Sequence, residues 1–260
     1  MRVAVIDFET TGIDATTCRP IEVAVSITNG DFSEVLEEYS QVMYDGSYPA
    51  LTEDIENLTG ITQSHLLSLG RNPASVLAVI VSLVKKHNVD YIMAYNSEYD
   101  RQVYTSEIKR HTLFEEALSP VVNMKWLCAM KDVRSNYNYK CWKLSHLALD
   151  YGVAIDPSKL HRAKADVDLT ISFLKKIGIT LADIVEFSQT PWVPLEAITK
   201  KPWTDGGVST GKAKEKGFRW ETPQGHMDKK FTQKWVVMKK ETDVRAFVDS
   251  CPELTIRRIV

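Results

Sequence analysis

Val3-Ala4-Val5-Ile6-Asp7-Phe8-Glu9-Thr10-Thr11-Gly12 is an apolar run that ends in two acids and a turn. Alternation with a period of two puts Val3, Val5, Asp7 and Glu9 on one face, so the run predicts a buried strand with two carboxylates side by side at its far end. Ile21 to Thr28 alternates Ile21, Val23, Val25 and Ile27, meets Asn29-Gly30, and continues as strand through about Tyr44. That pattern reads as a hairpin and makes the sheet partly antiparallel.

Residues 45–72 are rich in turn formers. Beyond them the spacing predicts a helix over Pro73 to His87, a strand over Asp90 to Tyr95 and a helix over Ser97 to His111. Mixed strand and helix follow around Val121 to Arg134, then helices at Lys143 to Gly152, 165–177 and Leu181 to Ser188. Alternating β and α units of this kind imply a sheet covered by helices. Pro191, Pro194 and Pro202 mark a boundary. Past it, Phe218 to Thr222 and Phe231 to Lys239 read as a β-ribbon, followed by a short helix and a terminal strand.

Composition sets the frame. With 44% hydrophobic and 25% charged residues, the 260-residue chain has the make-up of an ordinary globular protein with room for one large domain and a small one. The opening apolar run is too short to span a bilayer, so no membrane association and a cytoplasmic location are expected. Cys18, Cys128, Cys141 and Cys251 are scattered, which favours reduced thiols over zinc. A formal charge of −2 conceals eleven Lys/Arg against four Asp/Glu in residues 200–240, a segment able to meet phosphate.

Two further acids share the direction of a core stripe. Asp100 precedes Val103, Tyr104 and Ile108 at +3, +4 and +8. Asp166 precedes Leu169, Phe173 and Ile177 at +3, +7 and +11, whereas Asp168 is turned about 200° away. His161 lies five residues before Asp166, on the loop entering that helix. Clustered carboxylates suit hard divalent cations, and two cations together can activate water and stabilise a leaving oxygen.

In order, Asp7-Phe8-Glu9-Thr10-Thr11-Gly12, Asn96-x-x-Tyr99-Asp100 and His161-x-Ala163-x-x-Asp166 resemble the three motifs of the DEDDh (DnaQ-like) 3′-to-5′ exonucleases. Leu58-Thr59-Gly60-Ile61-Thr62 resembles the family's substrate loop, and Lys143-Leu144-Ser145-His146-Leu147-Ala148 its helix before the third motif. Trp126-Leu127-Cys128-Ala129-Met130-Lys131 looks most like the exonuclease X subgroup.

The resemblance implies an α/β, RNase H-like fold with a mixed five-stranded sheet over residues 1–178. A connecting helix and linker would occupy 179–199, and a small basic α+β module 200–260. It further implies two Mg²⁺ ions, for which Mn²⁺ would substitute, held by Asp7, Glu9, Asp100 and Asp166. His161 would be the general base. Phe8, Thr10, Thr11, Leu58, Ile61 and Asn96 would meet substrate.

The expected substrate is nucleic acid with a free 3′ end, with DNA preferred over the exoribonuclease alternative. A non-catalytic nucleic-acid-binding module is the remaining reading. A homodimer, or a polymerase or repair partner, stays open. Gly206 to Ala213 nearly spells a phosphate-binding P-loop, but Ala213 replaces the metal-ligating hydroxyl and no apolar strand precedes it, so a flexible basic loop is expected. Trp203, Trp220 and Trp235 interleave with Lys212, Lys214, Lys216, Arg219, Lys229, Lys230 and Lys234, a mixture suited to stacking bases and equally to a small core with a basic rim.

Overall fold

In the computed structural model, residues 1–133, 143–157, 160–200, 202–221 and 234–259 are described. Two compact units result, residues 1–188 and 189–260.

The first unit opens with β1 (Arg2–Thr10), β2 (Pro20–Asn29) and β3 (Val35–Val42). Two short helices, α1 (Glu53–Thr59) and α2 (Gln63–Leu69), precede α3 (Pro73–Lys86), β4 (Tyr91–Ala94) and α4 (Ser97–Arg110). Then come α5 (Glu115–Asn123), β5 (Trp126–Cys128), α6 (Leu144–Asp150), α7 (Ala163–Ile177) and α8 (Leu181–Gln189). The sheet runs β3-β2-β1-β4-β5, antiparallel from β3 to β1 and parallel from β1 to β5. This is the expected mixed five-stranded sheet.

Both faces are buried, and the alternation along β1 assigns them. Ala4, Ile6 and Phe8 pack with α3, α4 and α5, whereas Val3 and Val5 pack with residues of α6, α7 and α8. Asp7 and Glu9 therefore end the α7 face, and Phe8 points to the α4 face.

Three local expectations change. The turn after Asn29 is longer than two residues, because Phe32 takes a left-handed φ of 58° and buries its ring with Val3 and Val5. The turn-rich stretch 45–72 holds α1 and α2. Thr52 accepts the Ile55 N–H, Thr62 and His65 form a reciprocal capping box, and Gly60 closes α1 at φ 68°. These caps are short-range signals that the weak apolar periodicity concealed. The mixed stretch resolves into α5 and β5, with Arg134 outside the described residues.

The second unit contains β6 (Trp192–Ile198), α9 (Pro202–Asp205), α10 (Val208–Glu215), β7 (Arg219–Glu221), β8 (Lys234–Lys240), α11 (Val244–Asp249) and β9 (Thr255–Arg258). Its sheet runs β7-β8-β6-β9. The proline-marked segment expected to be a linker is thus the inner strand β6. Pro194 fits because pairing with β9 begins only at Leu195, while the Pro194 carbonyl still accepts the Ile259 N–H. Nitrogen and carbonyl of one strand residue face the same side, so the missing N–H falls beyond the ladder.

The stretch expected to be a flexible loop is helix α10. Asp205 accepts the Gly207 and Ser209 N–H groups, Gly207 turns at φ 80°, and Ala213 is fully buried beside Leu195 and Phe218. Trp220 and Trp235 are cross-strand partners with centroids 5.6 Å apart, and Lys214 Nζ lies 5.7 Å from the Trp235 ring. The Trp203 side chain, Thr222, Lys229, Lys230 and Phe231, and likewise Cys141, fall outside the described residues. Among the described residues Cys18, Cys128 and Cys251 are free thiols, and no helix is long and apolar enough to cross a membrane.

Candidate active site

Four acids converge where β1 ends. Asp7, Glu9 and Asp166 each bring a carboxylate oxygen to within 4.8 Å of the others. Asp166 arrives on the first turn of α7, and Asp168 is turned outward to an ion pair with Lys164 at 2.6 Å. Asp100 comes from the opposite layer. Pairing of β1 with β4 stops at Val5–Met93, and the Asp100 carboxylate takes over by accepting the Phe8 N–H at 3.2 Å. Asp100 is 4% exposed, so its placement is set by the backbone it satisfies.

Crowding and burial raise every carboxyl here. Asp7 is pushed well above the ordinary range by burial and then by Asp100, Glu9, Asp166 and Glu22. Burial, then Asp166, Glu22 and Asp100, lift Glu9 to about 8 against the opposing charge of Arg162. Asp100 rises to about 7 through burial, opposed by the Phe8 N–H. Burial also raises Asp166, opposed by the charge and the backbone N–H of His161. Such a set holds protons or a cation, and oxygen donors in this number fit a hard divalent ion.

His161 is exposed, in a left-handed conformation at φ 60°, beside Asp166. That backbone state is uncommon for a residue with a side chain and marks a constrained loop. Asn96 is exposed at the N-cap of α4 and makes no side-chain cap bond.

The turn after β1 is tied from within. The Thr10 hydroxyl donates to the Gly12 carbonyl at 2.7 Å and lies 2.7 Å from the Tyr99 hydroxyl, and Tyr99 also donates to that carbonyl. The Thr11 hydroxyl accepts the Arg19 N–H at 2.9 Å. Behind it, the fully buried Glu107 binds Arg19 at 3.0 Å and Arg110 at 2.8 Å. Phe8 is 6% exposed in the core, and Ile61 is 1% exposed in a cluster with Ile21, Tyr48 and Leu66. Leu58 is half exposed, and Ile13, next to Gly12, stands 97% exposed. Burial thus makes Ile61 the anchor of the loop that presents Leu58.

Ile13, Glu22 and Arg162 were not among the residues singled out in the sequence. Glu22 is 3% exposed and sits opposite Glu9 in the β1–β2 ladder. It accepts the Ala163 N–H at 2.9 Å and Arg162 at 2.6 and 3.1 Å, thereby fixing the start of α7. The available signal was an acid inside an otherwise apolar strand, one position after Ile21.

Residues 4–174 match the family RNase_T (Exonuclease). No curated protein sequence matches the chain. Among solved structures, E. coli exonuclease I in complex with a dA16 oligonucleotide is 16% identical, with 98% of this chain and 68% of that one covered at a TM-score of 0.63. A further exonuclease I structure is 21% identical over 76% of this chain and 48% of that one, at 0.57. Exonuclease X in complex with 5′ overhanging duplex DNA is 18% identical over 72% and 99%, at 0.49, a score that assigns no subgroup. The chain spans about half to two thirds of the length of exonuclease I. At these identities the likeness establishes the fold. From the family match over its first unit, the chain belongs to the RNase_T exonuclease family, within the DEDDh (DnaQ-like) superfamily.

Proposed function

We propose that the chain is a 3′-to-5′ exonuclease that hydrolyses the terminal phosphodiester of DNA at single-stranded or mismatched ends, releasing nucleoside 5′-monophosphates with two Mg²⁺ ions. The observation that carries this reading is the convergence of Asp7, Glu9 and Asp166 within 4.8 Å, with Asp100 bound to the next backbone position. The DNA preference draws support from the likeness to exonuclease I, whose solved complex holds a deoxyadenosine oligonucleotide.

When bound, the ions supply Lewis-acid activation of water and charge stabilisation at the departing 3′ oxygen. Asp7, Glu9 and Asp166 form one side of the ion-holding set, and Asp100 closes it from α4. His161 accepts the proton of the attacking water at its imidazole. Water adds to the terminal phosphorus, the bond to the 3′ oxygen breaks, and that oxygen takes up a proton from solvent, so the shortened strand leaves with a 3′ hydroxyl. Thr10 and Tyr99 hold the turn at Gly12, from which Thr11 and Ile13 face the terminal nucleotide, with Leu58 across from them. Asn96 shapes the entry to α4.

End-labelled DNA and RNA of one sequence, digested side by side with Mg²⁺ and with chelator, test the reading. Stepwise loss from the 3′ end of DNA, abolished by chelator, is expected. Faster loss from RNA would turn the assignment to an exoribonuclease, and no cleavage of either would end it.

A further inference from the structure

Resting on the reading of Thr11, Ile13 and Leu58 as the grip on the terminal nucleotide, we infer that Arg19 is a positioning residue that fixes the two sides of that grip relative to each other. Its backbone holds one side. The Thr11 N–H donates to the Arg19 carbonyl at 2.9 Å and the Arg19 N–H donates to the Thr11 hydroxyl at 2.9 Å, closing the turn that carries the exposed Ile13. Its side chain holds the other side. Nη2 donates to the Asp45 carboxylate at 2.9 Å, Nη1 donates to the Ser47 hydroxyl at 2.9 Å, and the guanidinium carbon lies 4.2 Å from the centroid of the Tyr48 ring.

The loop held in this way is the one that presents Leu58. Tyr48 is buried in a cluster with Ile61, against which Leu51 and Ile55 also pack. The Leu51 N–H donates to the Gln63 side chain at 3.2 Å, the Gln63 N–H to the Glu56 carboxylate at 2.7 Å, and the Ile61 N–H to the Thr59 hydroxyl at 3.1 Å. Residues 45–63 are thus knitted into one piece, with Leu58 on its exposed surface.

A third tie anchors both sides to α4. Nε and Nη2 of Arg19 donate to the two carboxylate oxygens of Glu107 at 3.2 and 3.0 Å. Glu107 is fully buried on the helix that brings Asp100, and Arg110 and His111 hold it at 2.8 and 3.1 Å. Asp45, Glu107 and His111 bring ligand atoms to within 4.8 Å of one another, as a metal site would, but Nη2 of Arg19 reaches both acids and supplies the positive charge there. A planar guanidinium can bind three side chains at once while stacking on a ring, whereas a lysine ammonium ends in a single point. The charge of Arg19 is spent before substrate arrives. Its influence on the nucleotide therefore passes through Thr11, Ile13 and Leu58.

The test is a double-mutant cycle on the full chain that combines Arg19→Lys with Leu58→Ala. It reads kcat and KM for a 5′-labelled oligo-dT strand with Mg²⁺, and Kd for the same strand with chelator. Arg19→Lys is expected to raise KM about fivefold with kcat within about twofold, the pattern of lost binding rather than lost chemistry. Leu58→Ala should raise KM in the wild-type background and add little to Arg19→Lys, because the side chain it removes is already displaced. Asp45→Asn, which frees the loop and leaves Glu107 paired, should reproduce both results. Arg110→Ala removes a different partner of Glu107 and should leave the Leu58 effect whole. Independent effects of Arg19 and Leu58, or equal coupling through Arg110, would overturn the inference. Failure of the wild-type chain to hydrolyse the strand would end the nuclease reading, and the same cycle read in Kd would still decide the role of Arg19.

Discussion

Glu9 and Glu22 face each other across the first ladder, and Arg162 ion-pairs with Glu22 while leaving Glu9 to the cation-holding cluster. Two acids on neighbouring strands therefore do different work. Glu22→Ala removes the acceptor of the buried Ala163 N–H and is expected to cost about 1–3 kcal/mol in urea unfolding. Because that N–H begins α7, weaker Mg²⁺ binding should accompany the loss. Unchanged Mg²⁺ affinity would detach Glu22 from the placement of Asp166.

Asp7→Asn removes the charge that Asp100, Glu9 and Asp166 all oppose. Turnover should vanish while the metal-free protein at pH 8 melts at or above the wild-type temperature. Substantial residual hydrolysis with Mg²⁺ would remove Asp7 from the centre.

The raised carboxyls also set a pH dependence. Glu9 titrates at about 8 and Asp100 at about 7 in the folded protein, above the ordinary carboxyl range that applies when unfolded. Between about pH 4 and pH 8 the folded state holds more protons, so metal-free stability falls as pH rises through that window. Mg²⁺ should therefore raise the melting temperature more at pH 8 than at pH 5. Calorimetry with chelator and with Mg²⁺ checks the sign, and a metal-free protein more stable at pH 8 than at pH 5 would contradict it.

His161→Asn keeps a side chain that tolerates the left-handed backbone at φ 60° while removing the imidazole. Fold and Mg²⁺ affinity should persist, with kcat lower by about 10²–10⁴. Unaltered kcat would exclude His161 as the base.

Tyr99→Phe deletes the hydroxyl that binds both Thr10 and the Gly12 carbonyl. The expected result is a higher KM with a smaller change in kcat, and about 0.5–1.5 kcal/mol less stability. A kcat loss at constant KM would place Tyr99 nearer the chemistry than the turn.

Much of the first unit was legible because its strands and helices repeat apolar residues at regular spacing. Asp166 stands with Asp7 and Glu9, and Asp168 outside; helical periodicity put Asp166 on the core side of its helix, and the resemblance put it beside the other two acids. Glu22 escaped notice because its role depends on a register across the hairpin and on a helix start far along the chain. Nor could spacing reveal that Ile61 and Phe8 are core residues, since burial of a loop or strand end is decided by what packs over it. Strand β6 was hidden by Pro194, which reads as a linker until the length of its neighbour β9 is known.

Strand β1 is hydrogen-bonded to β2 along its whole length, and on its other edge first to β4 and then to the Asp100 carboxylate. Mutually repelling acids on so confined a backbone have no room to swing apart. Their repulsion persists as a standing tension, discharged by taking up protons or divalent ions. Backbone rigidity at the strand end is in this way converted into appetite for cations, and loosening β1 should blunt metal affinity even with every ligand left in place.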